Sequence, residues 1–204
     1  FSPMGQGVVR RINLRHVDRF DRCWVPDLPI VPGLSGDLSH GPHVPGHARY
    51  IGPISRFTNG ARPNDQKRHR VVAVISGPEP QRTLFEKKVI SQLLGIDGQH
   101  LVVSGRPDAQ HEQTTGNVSV VAHLTADALR DALLGAELIV SRTGYTTVMD
   151  LYALGRSALL VPTPGQSEQE YLGTLHARVG EHVVDQQGGL RRRAPVQGLQ
   201  VRGE

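Results

Sequence analysis

From about residue 70 onward the sequence predicts an open α/β domain with a parallel sheet. Three observations carry that prediction. Apolar runs of strand length recur at 71–75, 101–103, 138–140 and 158–161, with a further run at 118–122 broken only by Ser119, and unbroken runs of this kind belong to parallel strands covered on both faces. Segments with helical spacing lie between them, at 81–94, 126–134 and 146–154. Each apolar run ends in a short turn bearing Gly, Pro or Thr. Strand, turn, helix, strand is the parallel crossover unit, and ligands of such sheets bind at the carboxyl ends of the strands.

Taken in order, the first 57 residues are irregular. Cys23-Trp24-Val25 reads as a short strand stopped by Pro26, since proline cannot donate to a ladder. Leu28 to Ala48 is rich in Gly, Pro and His and has no period, and Arg49–Pro53 is a second short strand. Two strands and a loop cannot bury a sheet of their own, so residues 1–57 read as the remnant of an N-terminal domain. His40, His43 and His47 lie in that Pro/Gly loop, without the ordered support that metal-ligating histidines need; no metal site is expected. Residues 58–69 are a polar linker. The second domain runs over 70–180, opening with Val71–Ile75. Ser76-Gly77-Pro78-Glu79-Pro80 then turns into the first helix. That turn is neither a GxGxxG fingerprint nor a P-loop, and Glu79 opposes an anion there. Gln110–Asn117 is a polar excursion. Thr125 is the expected N-cap of Ala126–Leu134, with Asp127 in its first turn. After Tyr171 the pattern fades, Leu172–Val179 finishes a helix, and 181–204 reads as a loose tail; its Arg191–Arg193 run reads as solvated charge.

Composition excludes several classes. The net charge is +4, carried almost wholly by arginine because Lys67, Lys87 and Lys88 are the only lysines. The arginines are scattered with no aromatic platform, which argues against nucleic acid. Cys23 is the single cysteine, so no internal disulfide forms and a reducing, cytoplasmic setting is expected. No apolar run of about 18 residues is present to span a membrane.

The densest polar rim is 137–171. After Leu138–Val140 come Arg142, Thr143, Gly144 and Thr146, then Asp150, and beyond Ala158–Val161 come Gln166, Gln169 and Glu170. A helix starting at this turn offers free N–H groups and a positive dipole end to a diphosphate. Gly144 removes a Cβ from the approach, and Asp150 can accept two ribose hydroxyls. The competing reading makes Arg142 and Asp150 a solvated helix pair and the threonines caps.

Ser141-Arg142-Thr143-Gly144, Thr147-Val148-Met149-Asp150, Ala153-Leu154-Gly155, Val161-Pro162 and Gln169-Glu170-Tyr171 together resemble the C-terminal domain of family 28 glycosyltransferases, in wording nearest to a less characterised bacterial branch. The resemblance implies the C-terminal half of a GT-B fold, a Rossmann-like domain holding a UDP-sugar donor. Arg142, Thr143, Gly144 and Thr146 would lie by the diphosphate, with Ser76 and Gly77 lining the cleft. Asp150 stands where the family has Glu on the uridine ribose. His123 and Leu124 would meet the uracil edge, although a loop-end role without ligand fits His123 equally. Gln169 and Glu170 stand where the family has two Gln on the donor sugar; Glu170 can only accept, which departs from that pattern. The implied activity is transfer of a sugar from the UDP-sugar to an acceptor hydroxyl, with a lipid-linked or other glycan precursor as acceptor. Peripheral membrane association of the full-length enzyme is compatible with it. No cofactor is implied, the UDP-sugar being substrate. The family's base lies near the start of its N-terminal domain, so no catalytic residue is assigned, and the 204-residue chain is expected to be inactive alone. A non-catalytic nucleotide-sugar-binding module and a UDP-N-acetylglucosamine epimerase-like protein are the alternatives.

Overall fold

The computed structural model describes residues 12, 14–42, 44–57, 69–109 and 112–179. The tail 181–204, His43 of the histidine cluster, and the linker 58–69 except for His69 lie outside the described residues; His69 is a strand residue and so belongs to the second unit's sheet. The chain divides into two compact units, Phe1–Ile54 and Ser55–Glu204. The division falls ahead of the Phe57/Thr58 boundary suggested by composition, because Phe57 is buried in the core of the second unit.

In the first unit, β1 (Cys23–Val25) pairs in parallel with β2 (Ala48–Tyr50). Between them lies a single turn of helix, α1 (Asp37–His40). The buried carboxylate of Asp27 organises this loop. It accepts from the N–H groups of Leu28, Leu34 and Ser35 at 2.7, 2.7 and 3.0 Å, and from the hydroxyls of Ser35 and Ser39 at 2.6 and 2.7 Å. His40 lies 3.7 Å from the same carboxylate and stacks on Tyr50, whose hydroxyl donates to the Ser39 carbonyl. A stretch without any hydrophobic period is thus ordered by one acceptor. Trp24, Ile30, Val31, Ile51 and Ile54 remain exposed.

The second unit is a six-stranded sheet in the order β5-β6-β4-β3-β7-β8. Its strands are β3 (His69–Val74), β4 (His100–Val103), β5 (Glu112–Thr115), β6 (Val118–Val121), β7 (Ala136–Arg142) and β8 (Leu159–Val161). All neighbours are parallel except β5 and β6. The polar excursion at Gln110–Asn117 is corrected here: it contains the antiparallel edge strand β5. Its four residues are all exposed; backbone pairing and one hydroxyl contact, Thr114 Oγ1 to Ser119 Oγ at 3.2 Å, hold it to β6, and it leaves no apolar alternation to read.

The helices are α2 (Gln81–Leu93), α3 (Ala126–Leu134), α4 (Tyr145–Leu154) and α5 (Ser167–Val179). Alternate residues of β3 point to opposite layers. Val71, Ala73 and Ile75 pack with Phe85, Val89 and Leu93 of α2. Val72 packs with Leu129 and Leu133 of α3, Leu151 of α4, and Phe57. Covering both faces explains the unbroken apolar runs. Thr125 caps α3 as expected, accepting from the Ala128 N–H at 3.3 Å. Gly155 ends α4 in the left-handed conformation, at φ 61°. The order runs outward from β3 to β4 and β6, then returns across β3 to β7 and β8. The reversal opens a crevice between the carboxyl ends of β3 and β7.

Gly105 follows β4 at φ +66°, and a Cβ there would lie 2.4 Å from the Ile75 carbonyl oxygen. Gly105→Ala is expected to destabilise the second unit by at least ~1–2 kcal/mol, the left-handed penalty alone, measured as a lower urea midpoint at unchanged slope. In the first unit, burial pushes the Asp27 carboxyl up, but the Ser35, Leu34, Ser39 and Leu28 hydrogen bonds outweigh it and hold the pKa below its ordinary 3.8. A depressed carboxylate contributes its stability above the unfolded pKa and loses it as pH falls through the folded one. Protection of the Leu34 and Ser35 amides against hydrogen exchange should therefore be full at neutral pH and fall below about pH 4. Asp27→Asn should lack both the protection and its pH dependence.

Candidate functional site

The site is built on the crevice between β3 and β7. β7 runs two residues further than its apolar core, so Arg142 is the last residue of the strand rather than part of the turn. Its guanidinium is 4% exposed. One terminal nitrogen donates to the Pro162 carbonyl at 2.9 Å, with a long contact of 3.5 Å to Val161, and the other donates to Gln81 at 3.1 Å. The plane lies 4.0 Å from the Phe85 ring centroid. Burial lowers its pKa, yet an arginine stays charged in a protein. Among the described residues no carboxylate pairs with it, and its Nε has no partner. A buried cation here is held by carbonyl dipoles and a π face, without a counter-charge.

Two threonine hydroxyls join that Nε. Thr143 and Thr163 are buried and neither Oγ1 has a hydrogen-bond partner. Thr143 faces α5, where a Cβ on Gly173 would sit 3.9 Å from its Oγ1 and 2.7 Å from Pro162 Cγ. Glycine is what lets α5 approach that closely. Thr163 faces the loop after β3, 3.9 Å from where a Gly77 Cβ would lie. Buried hydroxyls and N–H groups are normally bonded; Arg142 Nε, Thr143 Oγ1 and Thr163 Oγ1 are three of the buried polar atoms without a partner among the described residues, and they lie near the carboxyl ends of β7 and β8.

The turn into α4 is open. Gly144 caps the helix at φ −80°, ψ 145° with no side-chain hydrogen bond, and Thr146 is exposed. The threonines therefore do not act as caps, and neither Arg142 nor Asp150 is solvated; the competing reading of this rim as a surface pair fails on both counts. The loop after β3 is the reverse case. Glu79 accepts from Arg82 at 2.8 and 3.0 Å and from the Thr83 N–H at 3.2 Å, and the Arg82 and Thr83 bonds lower its pKa. The first turn of α2 already carries its own anion. Ser76 and Gly77 are exposed, and Gly77 holds φ +109°.

Asp150 is 8% exposed. Its two oxygens accept from the Ser55 hydroxyl at 2.6 Å and the Arg56 Nε at 2.9 Å. Gln169 and Glu170 lie in the first turn of α5 and not in a loop. Gln169 accepts from the Thr163 N–H at 2.9 Å and donates to Gln166 at 2.6 Å, while Glu170 accepts from the Gly165 N–H at 2.9 Å. They fold the loop after β8 back onto its helix. His123 is exposed beyond β6, and Leu124 packs partly into the core. Two strands separate β6 from β7, so His123 stands roughly 14 Å along the edge at about 4.8 Å per strand. Thr163, Gly173, Ser55 and Arg56 belong to this neighbourhood and were not legible beforehand, since no motif or spacing in the sequence marks them. An open depression of about 540 Å³ against α5 is lined by Leu160, Pro162, Glu170, Gly173, Thr174 and Ala177; it shares Pro162 and Gly173 with the surroundings of Arg142 and Thr143 but is lined by neither of those two side chains. Among the described residues no cluster of His, Cys, Asp or Glu is suited to a metal ion.

A doubly wound sheet with a polar crevice at the point where its strand order reverses defines a Rossmann-like α/β domain. Residues 73–187 match the glycosyltransferase family 28 C-terminal domain, more than half of the 204 residues, and the chain belongs to that family. It is 27% identical over 139 residues to the UDP-N-acetylglucosamine–N-acetylmuramyl-(pentapeptide) pyrophosphoryl-undecaprenol N-acetylglucosamine transferase of Pasteurella multocida, covering 64% of this chain and 39% of that protein. It is 39% identical over 75 residues to the enzyme of the same name from Granulibacter bethesdensis, covering 37% of this chain and 16% of the relative. The chain thus spans about two fifths of the first relative's length.

Replacing Arg142 with Lys keeps the charge but loses the fork that reaches two loops. Each carbonyl left buried and unbonded costs about 1–3 kcal/mol. The Gln81 carbonyl opens α2 and keeps its helical partner, so Arg142→Lys orphans chiefly the Pro162 carbonyl and should lower the stability of the second unit by about 1–3 kcal/mol, read from urea unfolding followed by circular dichroism.

Proposed function

We propose that this chain supplies the donor-nucleotide domain of a glycosyltransferase that moves a sugar from a UDP-sugar to an acceptor hydroxyl. The observation that carries the reading is the set of unpartnered polar atoms, Arg142 Nε, Thr143 Oγ1 and Thr163 Oγ1, around a crevice at the topological switch point. A diphosphate supplies the two things missing there. It brings acceptor oxygens for the donors and negative charge for a buried guanidinium that has none beside it. The uncapped turn at Gly144 adds a helix N-terminus. Asp150 takes the ribose, and His123 with Leu124 takes the uracil edge at a distance a nucleoside diphosphate can bridge. Gln169 and Glu170 stand nearest to the sugar.

The chemistry follows from that seating. A sugar leaves UDP when the diphosphate's developing charge is stabilised. Arg142, reached through its loop, and the α4 dipole are placed to do this. The acceptor hydroxyl also needs a base, and no described residue of the crevice is placed to act as one. The names of the relatives favour N-acetylglucosamine as the sugar and a lipid-linked acceptor. We infer a cytoplasmic setting from them and from the single cysteine; no described helix is long and apolar enough to cross a membrane. The 204-residue chain is inferred to bind the donor without transferring sugar; release of UDP from UDP-N-acetylglucosamine above a buffer blank would overturn that part.

Titration calorimetry with UDP tests the site. A Cβ on Gly144 meets only Thr147 and Thr146 hydroxyls, at 3.8 and 4.0 Å, and the backbone there suits any residue. Gly144→Val should abolish UDP binding while leaving the circular dichroism spectrum unchanged. Gly77→Ala is a poor control, because φ +109° strains any side chain at that position. Glu79→Gln is the better one, and it should alter UDP affinity far less. Asp150→Asn should weaken UDP by about 1.5–3 kcal/mol, the range for hydrogen bonds to a charged group. Equal losses from Glu79→Gln and Gly144→Val would place the phosphates on the wrong loop.

A further inference from the structure

We propose that Ser55 and Arg56 form a strap that occupies Asp150 in place of a ribose and must leave when nucleotide binds; this rests on the ribose role of Asp150 given above. Each oxygen of the carboxylate already has a donor. Ser55 Oγ donates to Oδ1 at 2.6 Å and Arg56 Nε donates to Oδ2 at 2.9 Å. Two donors side by side, one of them an aliphatic hydroxyl, present to the carboxylate what the 2′ and 3′ hydroxyls of a ribose would present. The Asp150 side chain is left only 11% exposed, too little for a second pair of hydroxyls to reach both oxygens past the strap.

The strap is built to be released. Its anchor is Phe57, buried among Val72, Leu101, Leu129 and Leu151. Ahead of that anchor the holds are polar and lie at the surface. The Arg56 side chain is 55% exposed, its guanidinium lies 5.5 Å from the Phe57 ring centroid, and the Ser55 hydroxyl also accepts from the Phe57 N–H at 3.0 Å. Solvent can take over each of these contacts when the strap lifts, whereas Phe57 stays in the core. The result is an internal competitor. The apparent affinity for nucleotide is the intrinsic affinity reduced by the fraction of molecules with the strap lifted.

The test compares UDP with 2′,3′-dideoxy-UDP on the full 204-residue chain, using the unsubstituted protein and the Ser55→Ala/Arg56→Gln variant. A strap closed about nine-tenths of the time predicts that the variant binds UDP about tenfold more tightly. Dideoxy-UDP, which makes no demand on Asp150, should bind both proteins alike. Amide exchange at Phe57 should also speed up in the unsubstituted protein when UDP is added. Weaker UDP binding by the variant would overturn the proposal, because the pair would then be holding Asp150 in place for the ribose. Equal tightening of UDP and dideoxy-UDP would overturn it as well. Failure of the underlying reading looks different: UDP and dideoxy-UDP would bind the unsubstituted protein equally, and Asp150→Asn would change neither.

Discussion

The buried guanidinium of Arg142 is the constraint on which the crevice depends. It stands at the end of β7, stacks on Phe85 of α2, and bonds the carbonyls of Gln81 and Pro162. One side chain thus ties together the loops after β3 and β8 and the end of the strand between them. Loops at the carboxyl ends of parallel strands are otherwise set only by their own short lengths. A planar, multi-donor group that is always charged can fix several of them at once. The cost is a cation out of water with no carboxylate beside it among the described residues, offset by the carbonyls and the Phe85 ring.

The helices around the crevice divide the work through their first turns. α2 is closed by its own Glu79, held by Arg82. α5 carries Glu168 and Glu170 in its first turn, while Gln169 and Glu170 accept from the Thr163 and Gly165 N–H groups of the loop before it. Only α4 starts on a glycine with no side-chain cap. Helix N-termini attract anions, and of these three only α4 has no carboxylate of its own at its N-terminal end.

The first unit works on a different principle. Its strands are three residues each, and its loop holds little apolar surface. Order comes from Asp27, a single buried acceptor with five donors. Trp24, Ile30 and Ile51 of this unit stay exposed.

The parallel sheet was determined by the sequence alone, because burial on both faces demands unbroken runs such as Val71–Ile75 and those runs cannot be hidden. The Thr125 cap and the Gly155 stop were equally legible, since each depends on neighbours within one turn of helix. β5 was not, for a strand held by backbone pairs at a sheet edge writes no pattern into its side chains. The membership of the crevice was half legible. Arg142, Thr143, Gly144 and Asp150 stand close together in the chain and share one strand–turn–helix unit. What those residues touch was decided by the tertiary structure. Gln81, Phe85 and Pro162 around Arg142, Gly173 against Thr143, and Ser55 and Arg56 on Asp150 all come from distant parts of the chain. Long-range contacts of this kind depend on how layers and loops close over one another, and no local spacing of residues encodes them.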